Sequence, residues 1–281
     1  MKNNIKTIIL GIGIMGLIAA GTFTTIMYYY ASINSTDEED SNNCNNVIFA
    51  EMNSSDNTNN NDLFKNAKIR YINDNPDLFT PDLSELITRN PETLDYVYNY
   101  PTAHLKEYDV DISEDVEIAN GDIPYFSQYD ARWGYNEYGT GLVGYTGCGP
   151  TALSMVVVYL TGDESFSPDF IAYYAIENDY CIPGNGTAWD LMSEGCEAFG
   201  VYSYSLLNEE EEMKNALDNN NPIICIMGPG DFTSEGHFIV ISGYCEDGFI
   251  IKDSFSEERT NKIWSYNELS YQIEDMWAFY S

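Results

Sequence analysis

The sequence contains only two histidines, His104 and His237, and this scarcity narrows the acid–base chemistry open to it. A thiol attacks as its thiolate, and a catalytic thiol usually needs an imidazole to take its proton. Cys148 stands in Gly-Tyr-Thr-Gly-Cys-Gly-Pro-Thr-Ala-Leu-Ser-Met, residues 144–155. Pro150 marks a helix start, so Cys148 is expected at or just before a helix N-terminus, where unpaired N–H groups and the helix dipole favour a thiolate. Gly147 and Gly149 carry no side chains, which would let a substrate carbonyl approach and backbone amides face a developing oxyanion. His237 follows Gly236 at the head of Phe-Ile-Val-Ile-Ser-Gly-Tyr, where a strand leaves a loop. His104 lies in a polar segment after Pro101 and reads as a surface residue.

Sixteen residues after His237 comes Asp253, with Glu246-Asp247-Gly248 between them as turn chemistry for a hairpin. Strand side chains alternate, so a strict two-residue Asp-Gly turn would put His237 and Asp253 on opposite faces. A longer or bulged connection is therefore expected, with Asp253 accepting from the imidazole and orienting it.

These side chains need elements to hold them. Helices are expected over residues 81–89, 91–100, 150–160, 168–178, 189–199 and 209–219, with Thr80, Asn90, Ser167 and Thr187 as caps and Gly200 as a stop. Strands are expected at 222–228, 237–244, 249–253 and 276–280. Helices first and an antiparallel sheet after is the α+β order. The acidic run Asp109–Glu117 lacks the glycine of a calcium loop, having Glu114 at the sixth place, and reads as a solvated charged linker. Ser265 with Glu268 is a capping-box signal.

The chain has 281 residues, with 45 acidic and 12 basic side chains and a net charge of −33, which argues against nucleic acid as a partner. Lys2 and Lys6 precede a stretch of 30 residues, Thr7–Thr36, without a charge, followed by Asp37-Glu38-Glu39-Asp40. Its apolar part, from Ile8 to about Ala31, is long enough to cross a bilayer, with the N-terminus inside and the rest exported. A signal peptide cleaved near Ala19-Ala20-Gly21 is the competing reading. Gly11-Ile-Gly-Ile-Met-Gly16 matches the dinucleotide-binding glycine pattern, but Tyr-rich and then Asn/Ser-rich chain follows it, not a ribose-binding fold. The domain reading is thus residues 1–31 as anchor or signal segment, 32–62 as disordered Asn/Ser/Asp-rich tether, 63–118 as helical extension and 119–281 as the main domain.

Six cysteines in an exported chain permit disulfides, with Cys148 as one partner or Cys181 joined to Cys196. Cys225 and Cys196 read as core residues, and Cys44 falls in the tether. Neither Cys-x-x-Cys nor paired-histidine spacing occurs, so no metal or cofactor is expected. Trp133, Trp189, Trp264 and Trp277 read as core aromatics. Tyrosine numbers 23, a richness that the sequence does not explain.

The motifs Asn90–Pro101, Ile123–Tyr135, Gly147–Met155, Gly186–Trp189, Pro229–Thr233, Gly236–Val240 and Trp277–Phe279 occur in the order seen in one group of peptidases. On these, over roughly residues 76–281, the chain resembles exported bacterial members of cysteine peptidase family thirty-nine, in the "-like" branch related to the bacteriocin-processing peptidases. The resemblance implies a papain-like α+β fold, with an N-terminal nucleophile helix packed on an antiparallel sheet. It implies Cys148 as nucleophile, His237 as general base and then acid, Asp253 as orienting residue and Gln128 as the oxyanion-hole side chain. Two features depart from the pattern. The processing branch has its glutamine only a few residues before the cysteine. Gln128 lies 20 residues upstream, so its role requires a loop through Trp133 and Tyr138 that folds back. The family often has Asp-Pro at the third position, where this chain has Asp253-Ser254.

The implied function is an exported thiol peptidase that cleaves an amide bond in a peptide or protein, with membrane contact through the N-terminal segment only. Cleavage of cell-wall peptide and a catalytically silent surface-binding module are the alternatives. Bacteriocin-leader cleavage is less expected, since in the processing peptidases this domain is joined to a transporter on the cytosolic side.

Overall fold

A computed structural model describes residues 57–281. The expected anchor or signal segment, Cys44 and most of the expected tether lie outside the described residues. Residues 67–281 form one compact unit. Helix α1 (Asn57–Asp74) includes residues 57–62, in place of the disordered tether expected there. No helix among the described residues is long and apolar enough to cross a membrane.

Within the unit 67–281, helices α2 (Pro81–Arg89) and α3 (Leu94–Ala103) flank a 3₁₀ turn at Pro91–Thr93. Thr80 Oγ1 accepts from Leu83 N–H, and Pro81 occupies the first helical turn, as expected from Thr-Pro. Helix α4 (Ser113–Ala119) corrects the reading of the acidic run as a linker. Asp111 Oδ1 accepts the Ser113 N–H, Ile112 is buried, and Asp115 pairs with Arg132 at 2.7 Å, so the run forms a short helix held to the domain.

The principal sheet has six strands, β1 (Tyr202–Ser205), β2 (Ile223–Met227), β3 (His237–Cys245), β4 (Gly248–Lys252), β5 (Ile263–Trp264) and β6 (Ile273–Tyr280). Its spatial order is β1-β6-β2-β3-β4-β5, with every neighbouring pair antiparallel. The α+β expectation therefore holds. Strands β1 and β5 went unforeseen because runs of four and two residues carry too little alternation to read.

Helix α5 (Cys148–Thr161) is buried at every residue from Gly149 to Val158 and is apolar all round, as a helix enclosed on several sides must be. One side of it meets the sheet face carrying Ile226, Phe238, Val240 and Phe279, in a single core cluster. Helix α6 (Pro168–Glu177) also packs against α5, and its Ser167 cap accepts from Phe170 N–H. The opposite sheet face carries Cys225, Ile239, Ile241 and Met276 against Met213 and Ala216 of helix α7 (Glu210–Asp218). Strand β2, covered on both faces, is buried throughout, each large apolar side chain contributing about 1.5–3 kcal/mol.

The helix expected over 189–199 is broken into a single turn, Asp190–Ser193, and a 3₁₀ segment, Gly195–Phe199. Gly195 interrupts it, pressed so near the Tyr180 ring that a Cβ would lie 3.0 Å from it. Thr187 is not the cap expected there; its hydroxyl pairs with that of Tyr138 at 2.8 Å.

A third cluster joins α2 and α3 to the domain and accounts for much of the tyrosine content. Tyr96 stacks on Tyr135 with centroids 4.5 Å apart, while Tyr98, Tyr100, Tyr108, Tyr129 and Tyr145 pack around them. Tyrosine suits such a seam because the ring buries apolar area while the hydroxyl reaches a backbone carbonyl. Tyr96 O–H donates to Gly134 O at 2.6 Å and Tyr135 O–H to Tyr96 O at 2.9 Å.

Candidate active site

Cys148 is the first residue of α5, directly after Gly147. The His237 imidazole and the backbone N–H groups of Gly149 and Phe238 are the groups that act on its thiol. Burial opposes ionisation of this thiol, but the imidazole and the two N–H groups outweigh it, holding the Cys148 pKa below the ordinary thiol value. Phe238 follows His237 in β3, so one strand end brings both the ring and a backbone N–H to bear on the thiol.

The glycines beside Cys148 answer to packing. A Cβ at Gly149 would lie 2.5 Å from Thr187 Oγ1, and one at Gly147 would lie 2.7 Å from the Val143 carbonyl oxygen. Both glycines are buried.

His237 and Asp253 are buried, and the imidazole Nε2–H donates to Asp253 Oδ1 at 2.7 Å. Nδ1 is then the nitrogen that faces Cys148. Burial alone would lower the His237 pKa, but Asp253 and Cys148 beside the ring raise it to about 9. Asp253 also accepts the Phe255 N–H at 2.8 Å and Arg259 Nε–H at 2.5 Å. Burial pushes its carboxyl up, yet His237 and Arg259 hold it below the usual carboxylate range. The connection that aligns His237 and Asp253 is a two-residue turn, Glu246-Asp247, plus a register shift between Ile241 and Gly243. A bulged connection is what the spacing required.

Gln128 is buried, and the chain after it folds back as expected through the Trp133 turn, a short hairpin (Glu137–Tyr138 with Gly141–Leu142) and a one-turn helix, Val143–Thr146. Gln128 Nε2–H donates to the Gly144 carbonyl at 3.2 Å, and its Oε1 accepts from Ser254 Oγ–H at 3.0 Å. Gln128, Cys148, His237, Phe255 and Arg259 line one cavity of about 450 Å³. Cys148 also lines a larger cleft of about 1040 Å³, with Thr187, Trp189, Glu235 and the α2 side chains Asp82 and Glu85. The four residues singled out in the sequence are thus brought to one place, while His104 stands apart and exposed, its Nδ1 bonded to the Tyr100 carbonyl.

Arg259 was missed. It is the lone basic residue in Ser-Glu-Glu-Arg-Thr, six positions after Asp253, and that isolation among acids was the only available signal. Among the described residues the five cysteines are all free, so Cys181 and Cys196 are not joined; Cys196 Sγ donates instead to the Met192 carbonyl. Cys196 and Cys225 lie in the core. Trp133, Trp264 and Trp277 are buried, whereas Trp189 is 42% exposed on the cleft rim. Among the described residues no cluster of three metal-ligating side chains forms.

No curated protein matches the chain. Among solved structures, it is similar to the peptidase domain of Streptococcus ComA, a bi-functional ABC transporter involved in a quorum-sensing pathway, at 20% identity and a TM-score of 0.38, over 48% of this chain and 90% of that one. It is also similar to a structure from Bacillus anthracis described as a C39-like peptidase, at 13% identity and a TM-score of 0.33, over 56% of this chain and 94% of that one. A family model matches residues 121–281, which hold the cysteine-headed helix, the antiparallel sheet and the Cys148–His237–Asp253 run, so the chain belongs to the Peptidase_C39 like family, with its papain-like α+β fold.

Proposed function

We propose that this protein is an exported cysteine peptidase in which Cys148, His237 and Asp253 act as a triad and Gln128 serves the oxyanion. The observation that carries the reading is the buried hydrogen bond from the His237 imidazole to the Asp253 carboxylate, with Cys148 and His237 lining the same open cavity. Thiolate and imidazolium form together, because the Cys148 proton moves to Nδ1 of His237. The sulfur attacks the carbonyl carbon of an amide, and the oxygen takes up the negative charge. Gln128 Nε2 carries two N–H groups, one used by the Gly144 carbonyl, leaving the other for that oxyanion. His237 then gives its proton to the departing amine nitrogen, leaving an acyl group on Cys148. It next takes a proton from water, whose oxygen displaces the sulfur. Asp253 keeps the ring in the tautomer that faces Nδ1 to the thiol.

A thiol-directed probe applied to the full chain near neutral pH tests the pairing. Labelling is expected at Cys148, abolished in Cys148→Ala and strongly slowed in His237→Ala; equal labelling in His237→Ala rules out a catalytic pair. Cleavage of a peptide library by the full chain, with Cys148→Ala as control, then defines the substrate. Cell-wall peptide cleavage and binding without turnover are the other outcomes. The exported setting is supported by the uncharged span Thr7–Thr36 and is checked by protease accessibility of the domain on intact cells.

A further inference from the structure

The segment Asn90–Pro101 lies outside residues 121–281, yet its side chains reach both arms of the site. Glu92, in the 3₁₀ turn Pro91–Thr93, accepts four hydrogen bonds. They come from Ser256 Oγ–H at 2.6 Å, Glu257 N–H at 2.7 Å, Glu258 N–H at 3.3 Å and Tyr129 O–H at 3.2 Å. Asn90 Nδ2–H donates to the Phe255 carbonyl beside them. Apart from Tyr129, these partners are the residues between Asp253 and Arg259.

Both ends of that stretch bear on Asp253. Phe255 N–H and Arg259 Nε–H bind its carboxylate, and its own N–H donates to Thr260 Oγ1 at 2.9 Å. The one-turn helix Glu257–Thr260 is too short to hold its shape by internal bonds, since a first helical turn fixes several dihedrals for little return. Its first-turn N–H groups, those of Glu257 and Glu258, both find their acceptor in Glu92.

We propose that Glu92 is a positioning residue of the catalytic centre: from the N-terminal extension it pins the 255–258 backbone and thereby sets Asp253 and Arg259 against His237. The helical extension is then part of the enzyme and not an appendage. The same segment braces the Gln128 arm, because Tyr96 O–H donates to the Gly134 carbonyl, which also accepts the Gly144 N–H, and Gly144 O accepts from Gln128. As a statement about catalysis the inference rests on the peptidase reading above; as a statement about His237 it can be measured separately.

Having only two histidines makes that measurement direct. The groups facing the His237 ring are Cys148 and Asp253, with Arg259 behind Asp253; Glu92 does not face it and acts only through the turn. Ring-labelled histidine NMR of the full chain follows the His237 midpoint in the wild type and in Glu92→Ala. Loss of Glu92 is expected to lower that midpoint by about one unit, a tenfold change in proton affinity, and to leave His104 unmoved. Turnover of a cleaved peptide should fall about tenfold in kcat with KM within about twofold, as for an interaction that counts mainly in the transition state. Glu92→Gln, which keeps one acceptor oxygen but sets an NH₂ against backbone N–H groups, should fall between the two, and it carries the test if Glu92→Ala fails to fold. A folded variant with an unshifted His237 midpoint overturns the proposal whatever the peptide assay shows. A shifted midpoint in a wild-type chain that neither labels nor cleaves overturns the peptidase reading and leaves the positioning role of Glu92 standing.

Discussion

His237 and Asp253 meet, Nε2 to Oδ1 at 2.7 Å, because one extra residue, Ser242, sits in the strand that carries the histidine. Cys245 pairs with Gly248 at the tight turn, and had that register continued, Asp253 would fall opposite Val240, on the face away from His237. The shift between Ile241 and Gly243 resets the ladder, so that Val240 pairs with Lys252 and Asp253 falls in line with Ile239 and hence His237. Ser242 Oγ–H donates to the Ile250 carbonyl at 3.2 Å and helps to hold the bulge. Deleting Ser242 is therefore expected to separate the pair. Residues 237–241 are pinned by β2 on the other side, so the slip falls on Ile250–Asp253. The His237 midpoint should return from about 9 toward 6.5, and Cys148 alkylation near neutral pH should slow to that of an ordinary thiol. Histidine NMR and alkylation kinetics on the deletion variant check both.

The directions of the Cys148 and His237 shifts set a pH window for reactivity. Thiolate forms as the pH rises through a Cys148 value lower than that of an ordinary thiol, and the imidazolium that protonates the leaving group in the proposed mechanism is lost as the pH rises through about 9. A bell-shaped kcat/KM profile is expected, with its alkaline limb near 9. Asp253 supplies much of the upward shift on His237, so Asp253→Asn should move the alkaline limb to lower pH. An unmoved limb in that variant would remove Asp253 from the role of orienting residue.

The elements that carry the site were legible where their signals are local. Thr80-Pro81, Ser167-Pro168 and Ser265 with Glu268 announce helix starts, and each side chain makes its capping bond. Parity between His237 and Asp253 required a bulge or a longer loop, and a bulge is there, but nothing in Ile-Ser-Gly-Tyr says which residue is extra. The contacts of Glu92 and Arg259 escaped the sequence because they cross about 165 residues of chain or depend on a turn that forms only in the fold. Gly147 and Gly149 illustrate a sound identification with an incomplete reason. Access to the thiol was the expected need, and the structure adds the pressure of Val143 and Thr187.

Under the proposed mechanism, Gln128 separates oxyanion stabilisation from ground-state binding. Its Nε2 already donates to Gly144 O and its Oε1 accepts from Ser254, so the side chain is fixed before any substrate arrives. Removal of one such preorganised donor typically costs about 10²–10³ in kcat, and Gln128→Ala is expected to fall in that range with KM little changed. Because Cys148 and His237 remain paired in that variant, thiol alkylation should keep its wild-type pH profile. Parallel measurement of peptide turnover and alkylation checks the division, and a proportional loss of both assigns Gln128 a structural role only.

Gly149 gives the converse case, a helical glycine at which alanine should harm the fold. Gly→Ala in a helix interior ordinarily gains up to about 1 kcal/mol. Here the new Cβ would lie 2.5 Å from Thr187 Oγ1 and 2.7 Å from Thr187 Cβ. Thr187 cannot swing aside freely, being buried and bonded through its hydroxyl to Tyr138 at 2.8 Å. The expected result is a net loss of about 1–3 kcal/mol, the usual range for overpacking a tight core. Denaturant melts of Gly149→Ala, Thr187→Gly and the double variant check the cause, since relief of one clash predicts a double variant more stable than the two single losses added together. Gly147→Ala meets the Val143 backbone as well as its side chain, so side-chain deletion alone should not rescue it. Cys148 lies between these two constraints, and a helix start displaced by either alanine carries the sulfur away from Nδ1 of His237, so alkylation at neutral pH should slow in both variants while they remain folded.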